Sequence, residues 1–124
     1  MKSSDVARVA LAAIRIFNGG MALVAPERLD GRLGLDRGAD YPWRMFGIRT
    51  ALIGADLLSS DLDVRRHALR ASVLVHASDT VSAAAAGFTK VLAPRAAVTA
   101  TAISSLNVAL ALIASREAWR RIPN

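Results

Sequence analysis

Residues 96 to 115 read AAVTATAISSLNVALALIAS, twenty consecutive residues without a charge, held between Arg95 and Arg116. A helix of that length measures ~30 Å, which is the thickness of a bilayer's hydrocarbon core. Trp119 follows with Arg116, Arg120 and Arg121, the aromatic and basic residue types that settle at a membrane interface. This segment ties the chain to a long apolar helix and makes a membrane the first solvent to consider.

Three further apolar segments precede it, each bounded by charge or proline. The first covers residues 6–25 and closes at Pro26; the second covers 43–60 after Pro42; the third covers 68–88. Arg15 and Asn18 interrupt the first segment, where a cleavable leader would have an unbroken apolar centre, so it reads as a retained helix. Residues 26–42, PERLDGRLGLDRGADYP, alternate charge with glycine and read as a solvated loop with room for a short interfacial helix carrying Leu29 and Leu33. The other two links, Asp61–Val64 and Lys90–Pro94, are short. Even spacing with tight links predicts an all-α fold, one up-down-up-down bundle of four transmembrane helices filling residues 1–124.

Composition bears on the choice of solvent. Hydrophobic residues make up 53% of the chain but aromatics only 5%, so a water-filled surround would demand a core of Ala, Leu and Val. Such a core buries little area per residue, whereas small side chains let helices approach closely in lipid. A water-soluble four-helix bundle is the rival architecture, because the second and third segments hold ionisable groups that suit half-exposed helices. Against it, Gly47, Ala51, Gly54 and Ala55 leave the second segment with no solvated face. The net charge of +6 fits juxtamembrane arginine against anionic lipid. The basic residues are spread among helix ends, without the clustered face that nucleic-acid binding needs. Lys2, Arg8, Arg65, Arg66, Arg70, Arg116, Arg120 and Arg121 fall at one end of the bundle. Arg28, Arg32, Arg37, Arg44, Lys90 and Arg95 fall at the other. Eight against six predicts the cell inner membrane with both termini cytoplasmic. There is no cysteine, so disulfides and thiolate metal sites are excluded.

Ionisable residues at bilayer depth cost at least ~2.5 kcal/mol each and are expected to face the bundle interior. Arg15 and Arg49 supply two positive charges, Asp56 and Asp79 two negative, and His76 is near neutral, so the deep set is predicted to balance. Arg49 and Asp56, seven residues apart, share a face of the second segment. Arg15 and Asn18 share one on the first, Ser72, His76 and Asp79 on the third, and Thr101, Ser104 and Asn107 on the fourth. Four polar stripes turned inward would make a polar core. As an active site, Asp56 or Asp79 would serve as general acid or base while Arg49 or Arg15 orients a substrate oxygen. As a binding site, Arg15, Asn18, His76 and Asn107 would hold the ligand. As a structural device, buried Arg–Asp pairs would fix helix neighbours, with Asn, Ser and Thr as interhelical hydrogen-bond donors. One histidine with an aspartate is too few for a metal, and no phosphate loop or cofactor motif occurs.

The run Arg15-x-x-Asn18-Gly19-Gly20 with Pro26 closing the helix, Arg44-x-x-Gly47-x-Arg49, Gly54-x-Asp56, and Asp79 together resemble an uncharacterised bacterial family of small four-helix integral membrane proteins, a domain of unknown function. The resemblance spans most of the chain; His76 and the weakly polar fourth segment depart from it. It implies the bundle and the membrane location and brings no catalytic residues. Three functions are therefore carried forward. The first is binding of a lipophilic or anionic small molecule at the intramembrane cluster. The second is acid-base catalysis there, hydrolysing, isomerising or cyclising a lipophilic substrate. The third is an accessory subunit whose charges only specify assembly. A homo-oligomer would be needed for a proton or ion path.

Overall fold

The computed structural model describes residues 1–33 and 40–120, with side chains described for 1–31 and 42–116. Among them the chain is helical throughout its ordered elements: α1 (Ser3–Val24), α2 (Pro26–Leu33), α3 (Asp40–Leu57), α4 (Leu62–Phe88) and α5 (Pro94–Arg120). The loop expected between Pro26 and Pro42 thus holds the short helix α2. Residues 34–39, with Arg37, lie outside the described residues, as do the side chains of Arg32, Trp119 and Arg120, and all of Arg121.

The third segment begins earlier than its apolar run suggests. Asp61 caps α4, its Oδ1 accepting from the N–H groups of Asp63 and Val64 at 2.8 and 3.3 Å, so the charged stretch after it is already helix. That corrects the boundary expected at residue 68 and shortens the link between α3 and α4. At its other end α4 closes on Lys90 with φ 59°, while the N–H of Val91 reaches Ala86 O at 2.9 Å and that of Lys90 reaches Gly87 O at 3.2 Å. These two bonds satisfy the last carbonyls of the helix and turn the chain into α5.

Consecutive long helices are neighbours. α1 lies along α3, α3 meets α4, α4 lies along α5, and α5 returns to α1, while the diagonal pairs α1–α4 and α3–α5 make no close backbone approach among the described residues. The α1–α3 contact is closest. A Cβ placed on Gly19 would stand 2.7 Å from Gly47 O, and one on Gly47 would stand 2.7 Å from Gly19 O. Further along, Gly54 lies against Ala12 and Ile16. Residues 19, 16 and 12 of α1 thus meet 47 and 54 of α3 in reverse order, an antiparallel pair whose backbones touch because neither side carries a side chain there. Arg8 completes the seam by donating from Nη1 to Leu57 O at 2.7 Å, which caps the end of α3. By contrast α3 touches α4 only lightly.

The apolar core sits in the half of the bundle holding the start of α1 and the end of α5. It consists of Ala7, Leu11, Ala12, Leu57, Ala68, Leu69, Ala111 and Ala114. Elsewhere the buried surface is alanine, glycine and polar groups, and large apolar side chains point outward on all four long helices. Val24 is 84% exposed, Leu74 73% and Val98 67%, with Leu52 on α3 also exposed. Two of the helices, α1 and the Pro94–Arg116 stretch of α5, are long and apolar enough to cross a membrane, with mean hydropathies of 1.4 and 1.8.

Candidate functional site

One polar residue from each long helix falls at mid-length. Arg15 is the thirteenth of the 22 residues of α1, and Arg49 the tenth of the 18 in α3. His76 is the fifteenth of 27 in α4, and Asn107 the fourteenth of 27 in α5. Arg15 bonds His76 and lies close enough to Arg49 for their charges to interact, so these three form a layer across the middle of the bundle, and Asn107 is buried at mid-length of α5.

Arg15 is the centre of that layer. It is 2% exposed and is the largest fully buried side chain among the described residues. Its Nη1–H donates to His76 Nε2 at 2.5 Å, bridging the two helices whose backbones do not approach. Arginine has no acceptor, so Nε2 must be the unprotonated nitrogen and the ring carries its proton on Nδ1. Nδ1 faces Asp79 Oδ2 at 4.0 Å, too long for a direct hydrogen bond. His76 is therefore a neutral acceptor that adds no negative charge beside Arg15, and the anion whose charge reaches the guanidinium is Asp79.

The rest of the guanidinium is unsatisfied. Nε and Nη2 of Arg15 are buried and find no hydrogen-bond partner among the described residues; neither do Ser72 Oγ and Asn107 Oδ1. Nε–H and Nη2–H lie parallel along one edge of the planar guanidinium, the fork that takes a carboxylate or phosphate with two bonds. Leaving two donors of a buried guanidinium unpaired is costly, and a bound anion would satisfy them.

The expected balance of charges is not met inside. Arg49 and Asp56 do share a face, but both are exposed rather than interior, and Asp56 stands in the last turn of α3, outside the central layer. The physical reason is the α1–α3 contact: Gly47, Thr50, Gly54 and Leu57 form the buried face of α3, and its close backbone approach leaves no space there for an arginine or aspartate. Arg49 nevertheless lies close enough to Arg15 and Asp79 for their charges to interact. The Asp79 side chain is 43% exposed at the edge of the layer. Asn18 is half-buried on α1; on α5, Asn107 is buried and Thr101 and Ser104 are half-buried. Arg15, His76 and Asn107 are thus in the interior, Asp79 and Arg49 border it, and Asp56 is apart.

Among the described residues, sequence reasoning missed four that are buried and polar, Ser4, Asp30, Thr50 and Ser115. Thr50 lies on the small-residue face of α3, three after Gly47 and four before Gly54, a spacing that pointed to it. Asp30, 3% exposed in α2, accepts from Trp43 Nε1 at 2.6 Å, which ties the start of α3 to the connecting helix. No sequence signal joins residues thirteen apart in that way. Among the described residues no group of three or more His, Asp or Glu could hold a metal ion.

Compared with known family models, characterised proteins and solved structures, the chain matches none of them. What the arrangement can do rests on its own geometry.

Proposed function

We propose that this is a multi-pass protein of the cell inner membrane, with α1, α3, α4 and α5 spanning the bilayer, both termini cytoplasmic, and a lipophilic small molecule with an anionic head bound at the central layer. The reading includes the resemblance to small four-helix membrane proteins of unknown function. Three features support the bilayer. The largest buried side chain is an arginine while Val24, Leu74, Val98 and Leu52 point outward, the reverse of a soluble core. Only 33% and 22% of the apolar windows of α1 and α5 are buried, unlike the core helix of a soluble protein. Neither α3 nor α4 has a one-sided apolar stripe, as a half-solvated helix would.

The observation that carries the ligand is the unpaired Nε–Nη2 edge of Arg15, buried at mid-length of α1. A carboxylate or phosphate oxygen pair would satisfy the fork. Thermal unfolding in detergent with a panel of amphiphiles tests this. Carboxylate- or phosphate-headed members should raise Tm while neutral and cationic analogues of equal chain length should not. Arg15→Met should abolish the shift, and equal shifts for wild type and Arg15→Met would overturn the reading.

A second reading has its own observation. The Arg15–His76 bond is the hydrogen bond joining the diagonal helices α1 and α4 among the described residues, so Arg15 would act as a brace that fixes the bundle. The two readings differ in the sign of a stability change, taken up below.

A further inference from the structure

The glycine seam closes the bundle between α1 and α3, and the extensive α4–α5 contact, with a Cβ on Gly87 2.7 Å from Ala97 Cβ at one end of it, closes it between α4 and α5. The seam between α3 and α4 is different. These neighbouring helices touch more lightly than the other neighbouring long pairs. Phe46, Arg49, Ile53 and Asp56 follow along α3 at spacings of three, four and three, one face of a helix. Ile53 on that face packs against the apolar core, to which α4 contributes Ala68 and Leu69, and Arg49 on the same face interacts with the charge of Asp79 on α4. On α4, Val75 and Asp79 are four apart and follow one another along the helix beside His76. Arg49 is exposed on one side of this seam and Asp79 is part-exposed on the other, close enough for their charges to interact, and the Arg15–His76 pair lies behind.

We infer that the α3–α4 seam is the lateral mouth of the Arg15 site, through which a single-chain carboxylate amphiphile passes from the bilayer, with Arg49 drawing in the head and Asp79 acting as the built-in anion that the head displaces. The inference rests on the ligand reading above. A charged pair at mid-helix depth on the lipid-facing side is expensive unless it has a use. An arginine facing lipid at that depth attracts an anionic head, and Met45 and Leu52, exposed one turn to either side of it, offer apolar surface to the chain that follows. A carboxylate, with two oxygens in a plane, matches the free edge of Arg15. Asp79 competes with it for the same cations. Its removal must therefore strengthen anion binding, an effect opposite in sign to the loss expected of a catalytic acid or of a structural partner.

The test is binding of a fluorophore-labelled dodecanoic acid to the full chain in lipid nanodiscs, followed by equilibrium titration and stopped flow. Asp79→Asn should bind about three- to tenfold more tightly than wild type, a change typical of removing one nearby like charge. Arg49→Gln should slow association at least fivefold. The chain has no cysteine, so single cysteines can be placed at will. A bulky maleimide on Val75→Cys, in the seam, should slow association, whereas the same label on Ala102→Cys, exposed on α5, should not. Butyrate and inorganic phosphate at equal concentration should fail to compete; effective competition by either would make the site one for free anions and overturn the lateral route. If Arg15→Met abolishes binding while Arg49→Gln, Asp79→Asn and the Val75 label change nothing, the site stands and the mouth is wrong. If wild type binds no dodecanoate and no member of the amphiphile panel shifts Tm, the ligand reading itself fails, and this inference with it. Circular dichroism and size exclusion of each variant separate lost binding from lost fold.

Discussion

Arg15 poses the sharpest question at the scale of single residues, because binding and bracing roles demand opposite outcomes from one substitution. A buried charge without a full complement of partners stores free energy that an apolar residue of similar volume releases. If Arg15 is kept for a ligand, Arg15→Met should leave Tm in detergent unchanged or raise it by a few degrees, and should erase the amphiphile-induced shift. If Arg15 is a brace, the same substitution should cost about 3 kcal/mol or more by chemical denaturation. His76→Ala sharpens the contrast: it strips the guanidinium of its one hydrogen-bond partner and should destabilise the free protein by about 1–3 kcal/mol. Adding Arg15→Met to His76→Ala should recover much of that loss under the ligand reading. Lys90 offers an independent check of the backbone. It holds φ 59°, where a side chain costs about 1 kcal/mol and glycine costs almost nothing. Lys90→Gly should therefore raise the unfolding free energy by up to that amount, with no effect on ligand binding.

Between helices, neighbouring glycines make a matched pair of predictions. Gly19→Ala would push a methyl to 2.7 Å from Gly47 O and 2.8 Å from Ala51 N, both backbone atoms, so α1 and α3 must part. Overpacking of that kind costs roughly 1–3 kcal/mol. Gly20→Ala meets nothing within 4 Å and should be neutral or stabilising by up to about 1 kcal/mol, through helix propensity alone. Equal effects at the two positions in equilibrium unfolding would mean that the glycine seam does not form. The same seam explains what could and could not be read from residue order. Helix positions followed from apolar runs and prolines, and Arg15, His76 and Asn107 followed from polar residues set at helical spacing within them. The start of α4 was hidden because Asp61 caps a stretch whose charge made it look like a link. The inward turn assigned to Arg49 and Asp56 failed for a related reason. Periodicity states which residues share a face, but glycine and threonine compete with charge for the buried side, and only the closeness of α1 decides the winner. The Asp30–Trp43 bond depends on how α2 folds back, which no local pattern encodes.

For the molecule as a whole, the distribution of side-chain size and polarity is turned inside out, and the solvent must account for it. In water, the exposed Phe17, Leu52, Leu74, Val81, Val98 and Leu106 would form apolar surface on every long helix, while a guanidinium occupied the centre. In lipid the same placement is favourable, because acyl chains solvate leucine and valine, and small residues at the contacts let helices approach. On the function proposed above, the lateral mouth, the free edge of Arg15 and the outward valines would belong to one design: a bundle that meets its ligand in the membrane plane. Single cysteines report on this directly. Leu74→Cys and Leu106→Cys, exposed near the middles of α4 and α5, should resist a membrane-impermeant maleimide and react with a lipid-soluble one. A bimane attached at either should be quenched by brominated lipid in nanodiscs, whereas one at Leu62→Cys, exposed at the start of α4, should be reached by aqueous iodide. Full labelling of Leu74→Cys and Leu106→Cys by the impermeant reagent would place those helix centres in water. The outward valines and leucines would then have to meet a protein partner, and Arg15 would be the buried charge of a soluble bundle.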